Sequence, residues 1–136
     1  MFRSVWKSAY ETGHPRIDFE HKIFLDLILQ IETDLFENAP LDQVERHIVE
    51  LYKYTDFHFF SEESIMIDVA FPDLETHRRN HELLLAELRG FTGSISIETI
   101  RKKDIVGFLI EWFSFHTAGE DIRLAAYVRD DAAMKT

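Results

Sequence analysis

Apolar residues recur at intervals of three and four in four separate stretches of this chain, and that period commits a segment to an amphipathic helix rather than a strand. The first stretch runs from about Asp18 to Glu37, with Ile17, His21, Phe24, Ile28, Ile31 and Leu35 on one face. Asn38-Ala39-Pro40 ends it, because proline disfavours helical backbone in the residue before it. The second runs from about Leu41 to Val69, with Val44, Ile48, Leu51, Thr55, His58, Glu62, Ile65 and Val69 in register, and stops at Phe71-Pro72-Asp73. The third, about Leu74 to Arg89, aligns Leu74, His77, His81, Leu84 and Leu88. Gly90 and Gly93 suit its C-terminus and a loop that continues through Ser96. The fourth, about Ile97 to Val128, aligns Ile105, Leu109, Trp112 and His116, then Leu124 and Tyr127.

Four such helices with short connections predict an all-α protein, an antiparallel up-down-up-down four-helix bundle. Its 136 residues make one domain over 1–136. Residues 1–16 form an N-terminal arm whose Trp6 and Tyr10 are expected to pack on the bundle surface, and the residues from Asp130 onward read as a frayed tail. Only 5 glycines and 3 prolines among 46% hydrophobic residues fit helices better than a many-stranded sandwich.

Charge and composition then narrow the partners. Fifteen Lys and Arg against 25 Asp and Glu give a net charge of −10, a field that repels phosphate backbones and anionic lipid, so neither nucleic acid nor a membrane surface is an expected partner. The N-terminus lacks the apolar run of a signal peptide, and no unbroken apolar stretch is long enough to span a bilayer. A cytoplasmic monomer is the expectation. The chain has no cysteine, which removes disulfides, thiolate ligands and a cysteine nucleophile.

The informative residues are polar ones at positions that periodicity sends inward: His21, His58 with Glu62 one turn later, His77 with His81, and His116. A single histidine on an apolar face is ordinarily a core residue bonded to a backbone carbonyl, and histidines four apart are common on exposed helix faces. Convergence changes the weighing, because the inward positions at mid-height of four antiparallel helices meet. Buried imidazoles and a buried carboxylate without partners cost several kcal/mol. Metal satisfies them. Imidazole suits iron, copper, zinc or nickel, and a carboxylate can bridge two ions. One zinc would take four ligands and strand the rest, so two ions account for the set better.

A second bridging carboxylate is expected near His116, where Glu120 and Asp121 are the candidates. At about 100° per residue, the i+4 position shares the face of His116 while i+5 lies about 140° away, so helical geometry alone selects Glu120.

Taken in order, His21, His58-x-x-x-Glu62, His77-x-x-x-His81 and His116-x-x-x-x-Asp121 resemble the hemerythrin family, and within it the bacterial hemerythrins. Ile17-Asp18-x-x-His21, His58-Phe59-x-x-Glu62-Glu63-x-x-Met66 and Trp112 ahead of His116 agree, and the likeness extends from Trp6 to about Tyr127. The resemblance overrules the geometric choice and implies Asp121 as the second bridge, which requires a widened turn between His116 and Asp121 such as a π-bulge, eased by Gly119. It implies two iron ions in an oxo- or hydroxo-bridged non-haem pair. His77, His81 and His116 would hold one, His21 and His58 the other, and Glu62 and Asp121 both. It implies reversible dioxygen binding at an open position on the two-histidine iron, with Phe24, Phe59, Trp112, Phe113 and Thr117 lining the oxygen pocket. Thr117 departs from the family's usual aliphatic residue, and a hydroxyl there is expected to hasten autoxidation by donating to the bound ligand or admitting water. His14 and His47 fall outside the pattern, His47 as an exposed residue; Glu63 is assigned to solvent or to the surroundings of the ligands, and Glu120 to solvent.

On this reading the chain is an oxygen carrier, store or sensor and not an enzyme. Two alternatives remain. One is a di-iron oxidase, peroxidase or nitric oxide handler, but oxidative bundles of that kind use Glu-x-x-His pairs on two helices, and here that spacing occurs only at Glu11 and His14, in the arm. The other is an oxygen-sensing input module that acts on a partner by contact.

Overall fold

The computed structural model describes residues 6–91 and 99–135, and every regular element among them is helical. A 3₁₀ turn, Ser8–Tyr10, precedes α1 (Pro15–Phe36), α2 (Leu41–Asp68) and α3 (Leu74–Phe91). The last rod comprises α4 (Thr99–Phe115), a π-helical turn (His116–Asp121) and α5 (Ile122–Met134), which follow one another without a break. Neighbours are antiparallel: early α1 meets late α2 through Glu20 and Ser61, while late α1 meets early α2 through Gln30 and Glu50. α2 packs on α3 and α4 on α1, giving the up-down-up-down bundle.

Local chemistry sets the start of α1 at Pro15, so the arm is shorter than the expected 1–16. The imidazole of His14 accepts the Ile17 amide as an N-cap, and Pro15 sits at the first helical position, where its missing N–H costs nothing. Asp18 then anchors the arm, its carboxylate accepting the Thr12 amide (2.9 Å), the Thr12 hydroxyl (2.7 Å) and the Gly13 amide (3.1 Å). Gly13 takes a φ of +90°, a conformation that favours glycine, and an added Cβ there would lie 2.8 Å from the Arg129 guanidinium.

The arm's aromatics go further inward than a surface site. Tyr10 is buried, its ring edge-on to Phe113 at 5.1 Å, and its hydroxyl lies 3.1 Å from Ser114 Oγ. Trp6 packs edge-on to Tyr10 at 5.4 Å. At the other terminus the expected frayed tail is helical to Met134. Tyr127 and Val128 pack on the core, Arg129 donates to the Thr12 carbonyl, and Lys135 pairs with Asp131 at 3.0 Å. Gly90 lies inside α3, which continues to Phe91; Gly93, Ser96 and Ile97 fall outside the described residues.

The apolar core is divided in two, and this division positions the site. One layer contains Phe24, Ile28, Ile31, Val44, Ile48, Leu51, Leu88, Ile105, Leu109 and Phe113; the other contains Ile17, Ile65, Met66, Phe71 and Leu124. On each rod the inward polar residues fall between the two: His21 after Ile17, His58 and Glu62 before Ile65, His77 and His81 before Leu88, His116 and Asp121 before Leu124. Water is thereby excluded from both ends of the polar layer, and each unpaired atom within it bears the full cost of desolvation.

Candidate metal centre

His21, His58, Glu62, His77, His81, His116 and Asp121 are all buried, at 2% exposure or less. Their ligating atoms fall into two groups, His21, His58, Glu62 and Asp121 in one and Glu62, His81 and His116 in the other, with the atoms of each group within 4.8 Å of one another. Glu62 belongs to both. Its Oε1 lies 3.2 Å from the Nε2 of His81 and of His116, and its Oε2 lies 3.5 Å from His58 Nε2 and 3.9 Å from His21 Nε2. Asp121 spans the same gap, Oδ2 to His21 Nε2 at 2.7 Å and Oδ1 to His116 Nε2 at 3.1 Å. His77 stands beside the second group, its ring 5.9 Å from that of His81, with Nε2 turned to Glu120 at 3.5 Å. Its free ring nitrogen is Nδ1.

Asp121 reaches this cluster because the rod widens. Residues His116–Asp121 form a π-helical turn, so an i+5 residue takes the face that i+4 would occupy in an α-helix. Gly119 is not required for it by space, since an added Cβ would meet nothing within 4 Å.

The buried atoms provide the test of whether a metal pair fits. Nε2 of His21, His58 and His81, Oε2 of Glu62 and both oxygens of Asp121 have no hydrogen-bond partner, although several lie within 4 Å of one another. Lone pairs that converge on shared points without hydrogen-bond alignment are a ligand arrangement rather than a polar network. Histidine nitrogens with carboxylate oxygens suit first-row transition ions, and cysteine contributes nothing.

Outside the ligating atoms, carboxylates hold the imidazoles in place. Glu20 Oε1 lies 2.8 Å from His58 Nδ1, and its other oxygen accepts the Ser61 hydroxyl at 2.9 Å and Arg16 Nε at 3.3 Å. Burial raises the Glu20 carboxyl, but the bonds from His58 and Ser61 outweigh it and hold it below its ordinary value. An ionised Glu20 accepts a proton-bearing Nδ1 and leaves the His58 Nε2 lone pair facing the cluster. Glu63 does the same for His81 at 3.0 Å and is itself held by Arg78 at 3.1 Å. Sequence periodicity missed Glu20, which sits next to His21 and one turn before Phe24; its signal was a charged residue on the α2-facing side of α1.

Two expectations are corrected here. Glu120 does not face solvent: it is 13% exposed, lies 3.4 Å from His116 Nδ1 and 3.5 Å from His77, and accepts Asn80 Nδ2 at 3.2 Å. The π-turn swings it between α3 and α4, and the bond from His116 holds its carboxyl below the ordinary value. His47 is not an exposed residue either. It pairs with the buried Asp34, far down the bundle from the cluster, and Asp34 also accepts Gln43 Nε2 at 2.9 Å.

The electrostatics follow from the crowding. Burial raises the Glu62 carboxyl, yet His58 and His116 together hold it well below the usual carboxylate range. Burial lowers the His116 imidazole, yet Asp121 and Glu62 hold it well above its ordinary value. His77 is lowered by burial. The five expected pocket residues surround these groups. Phe59 stacks on His81 at 3.8 Å, Trp112 stacks on His116 at 4.6 Å, Phe24 stacks on Trp112 at 5.6 Å, and Phe113 lies edge-on to His21 at 5.7 Å. Thr117, the fifth, is fully buried within the π-turn.

Removing Glu20 strands Ser61 and frees the His58 ring to rotate. Glu20→Ala is expected to weaken metal binding by about 10- to 100-fold, and Glu20→Gln, whose amide oxygen still accepts, by less. A competition titration against a chelator would measure it; equal affinity in Glu20→Ala and the parent would contradict the positioning role.

Fold and cluster together define a class: a cysteine-free helical bundle whose buried histidines and carboxylates could hold metal between two apolar layers. The model of the hemerythrin HHE cation-binding domain matches residues 12–128, and the chain belongs to the hemerythrin family. It is 26% identical over 123 residues to a bacteriohemerythrin of Clostridium acetobutylicum, covering 86% of this chain and 95% of that protein. It is 28% identical over 130 residues to a bacteriohemerythrin of Pseudomonas paraeruginosa, covering 94% and 81%. A myohemerythrin of Theromyzon tessulatum is 25% identical over 118 residues, covering 87% and 88%. Among the described residues no helix is long and apolar enough to cross a membrane.

Proposed function

We propose that the chain binds a bridged pair of non-haem iron ions and takes up dioxygen reversibly, for carriage, storage or sensing. The observation that carries this reading is Glu62, one carboxylate shared by two groups of buried ligand atoms. His77, His81 and His116 would hold one ion, His21 and His58 the other, with Glu62 and Asp121 shared between them. When bound, the reduced pair supplies electrons to dioxygen and takes them back on release.

The chain's own residues make such an exchange reversible. Glu20, Glu63 and Glu120 hold the outer nitrogens of His58, His81 and His116, so the imidazoles keep their orientation through a change of charge. Phe24, Phe59, Trp112 and Phe113 close the layer against water, which limits loss of electrons or protons to solvent. Imidazole-rich ligation favours carriage over the oxidative chemistry of carboxylate-rich bundles.

Rapid mixing of the reduced, iron-loaded protein with oxygen tests the reading. A visible band should form and vanish when oxygen is withdrawn, over repeated cycles, with two irons per chain by metal analysis. Steady consumption of an added reductant would instead assign an enzyme, and a different native metal would reject iron.

A further inference from the structure

Thr117 is fully buried, at 0% exposure, and its hydroxyl oxygen has no hydrogen-bond partner among the described residues. Buried hydroxyls are ordinarily paired, and a threonine in a helix finds its acceptor one turn back. Thr55 does so here, its Oγ1 donating to the Leu51 carbonyl at 2.7 Å. Thr117 does not, because it lies in the π-helical turn, where the carbonyls are displaced from the α-helical pattern.

The same turn begins at His116 and ends at Asp121, so an unused hydroxyl is carried on the segment that brings two ligand residues into the cluster. The aromatic rings around that segment, Phe59 and Trp112 against His116 and Phe113 against His21, present apolar faces there. A buried donor without an acceptor is a standing cost to the fold unless something that enters the site accepts from it.

We propose that Thr117 is the hydrogen-bond donor to a small ligand bearing lone pairs, dioxygen or an azide-sized anion, and so biases the site toward polar or anionic ligands. This rests on the di-iron reading above. The bias follows from the acceptor: an anion gains most from a donor in an apolar pocket, and a hydrogen bond to a charged group is stronger than one between neutral groups.

Two measurements on Thr117→Val, Thr117→Ser and the parent decide it. Valine matches the shape without the hydroxyl, and serine keeps the hydroxyl without the methyl. In the metal-free protein, Thr117→Val should melt higher than the parent, by about 2 °C or more, because an unpaired buried donor is removed. In the oxidised, iron-loaded protein at equal iron content, the azide dissociation constant should rise about tenfold in Thr117→Val and stay within about twofold of the parent in Thr117→Ser.

A lower melting point in metal-free Thr117→Val would overturn the proposal by showing that the hydroxyl is satisfied within the protein. Unchanged azide affinity in Thr117→Val would overturn it as well. Should valine prevent folding, Thr117→Ala replaces it in the azide comparison, with the same tenfold loss expected and an unchanged constant overturning the proposal. A parent chain that takes up no iron overturns the di-iron reading itself, which metal analysis reveals before any variant is compared.

Discussion

Glu62→Gln is expected to abolish the binding of a metal pair, lowering affinity by on the order of 100-fold or more at both positions, more than loss of an outer carboxylate such as Glu20 would cause. Each oxygen of Glu62 faces a different pair of imidazoles, His81 and His116 on one side and His58 and His21 on the other. An amide of the same shape brings a weakly coordinating oxygen to one side and an N–H₂ donor to the other, and it removes the negative charge that offsets the ions. In the metal-free variant the imidazoles also lose their shared counter-charge, so His116 should titrate lower than in the parent. Metal analysis after dialysis against iron or cobalt would measure the stoichiometry. Two tightly held ions in Glu62→Gln would refute the shared role of this carboxylate.

The stability of the metal-free protein and its affinity for metal are expected to run in opposite directions as pH rises. The folded His116 value lies well above 6.5, so its contribution to stability is complete below pH 6.5 and lost as pH climbs through the raised value. The folded Glu62 value lies well below 4.5, so its contribution is complete above pH 4.5 and lost as pH falls through the depressed value. Metal-free protein is therefore most stable between about pH 4.5 and 6.5 with respect to this pair. Metal requires the deprotonated imidazole, so affinity increases as pH rises through the same His116 value, and each ion bound there releases a proton. Urea unfolding of apoprotein at pH 5.5 and at pH 9, beside calorimetric titration of metal in buffers of different ionisation enthalpy, would show both trends. Apoprotein that is more stable at pH 9, or metal uptake without proton release, would contradict the assignment.

The inward positions were legible because helical periodicity is a property of sequence. Ile17, His21, Phe24 and Ile28 share a face whatever they pack against, and the same holds for Ile48, Leu51, His58 and Glu62. Periodicity could not recover the place where the period changes. It assigned Glu120 to the His116 face, and only the family pattern pointed to Asp121 and a wider turn. Such a turn carries no residue signature: the glycine within it has open space around it and the remaining residues are ordinary helix formers. Glu20 was missed for a related reason. Its importance lies in Ser61 and His58, 41 and 38 residues away, and no spacing within α1 announces them.

The helix boundaries show the same limit at smaller scale. Pro40 and Pro72 mark breaks that any neighbour would respect, whereas α1 starts at Pro15 because His14 turns its ring to cap Ile17 and Thr12 and Gly13 wrap around Asp18. Asp130 and Asp131 look like a tail until Arg129 meets the Thr12 carbonyl across 117 residues of chain.

By itself the sequence determined four amphipathic rods and the identity of the polar residues they turn inward, because side-chain periodicity is fixed by backbone geometry before any tertiary contact forms. The tertiary structure decided which atoms meet: that Glu62 is shared, that Asp121 rather than Glu120 faces the cluster, that Glu120 clamps two histidines, and that the Thr117 hydroxyl is left without a partner. Those outcomes depend on the relative height of four rods and on one change of helical pitch, and a shift of either by a single residue rotates a side chain by about 100°.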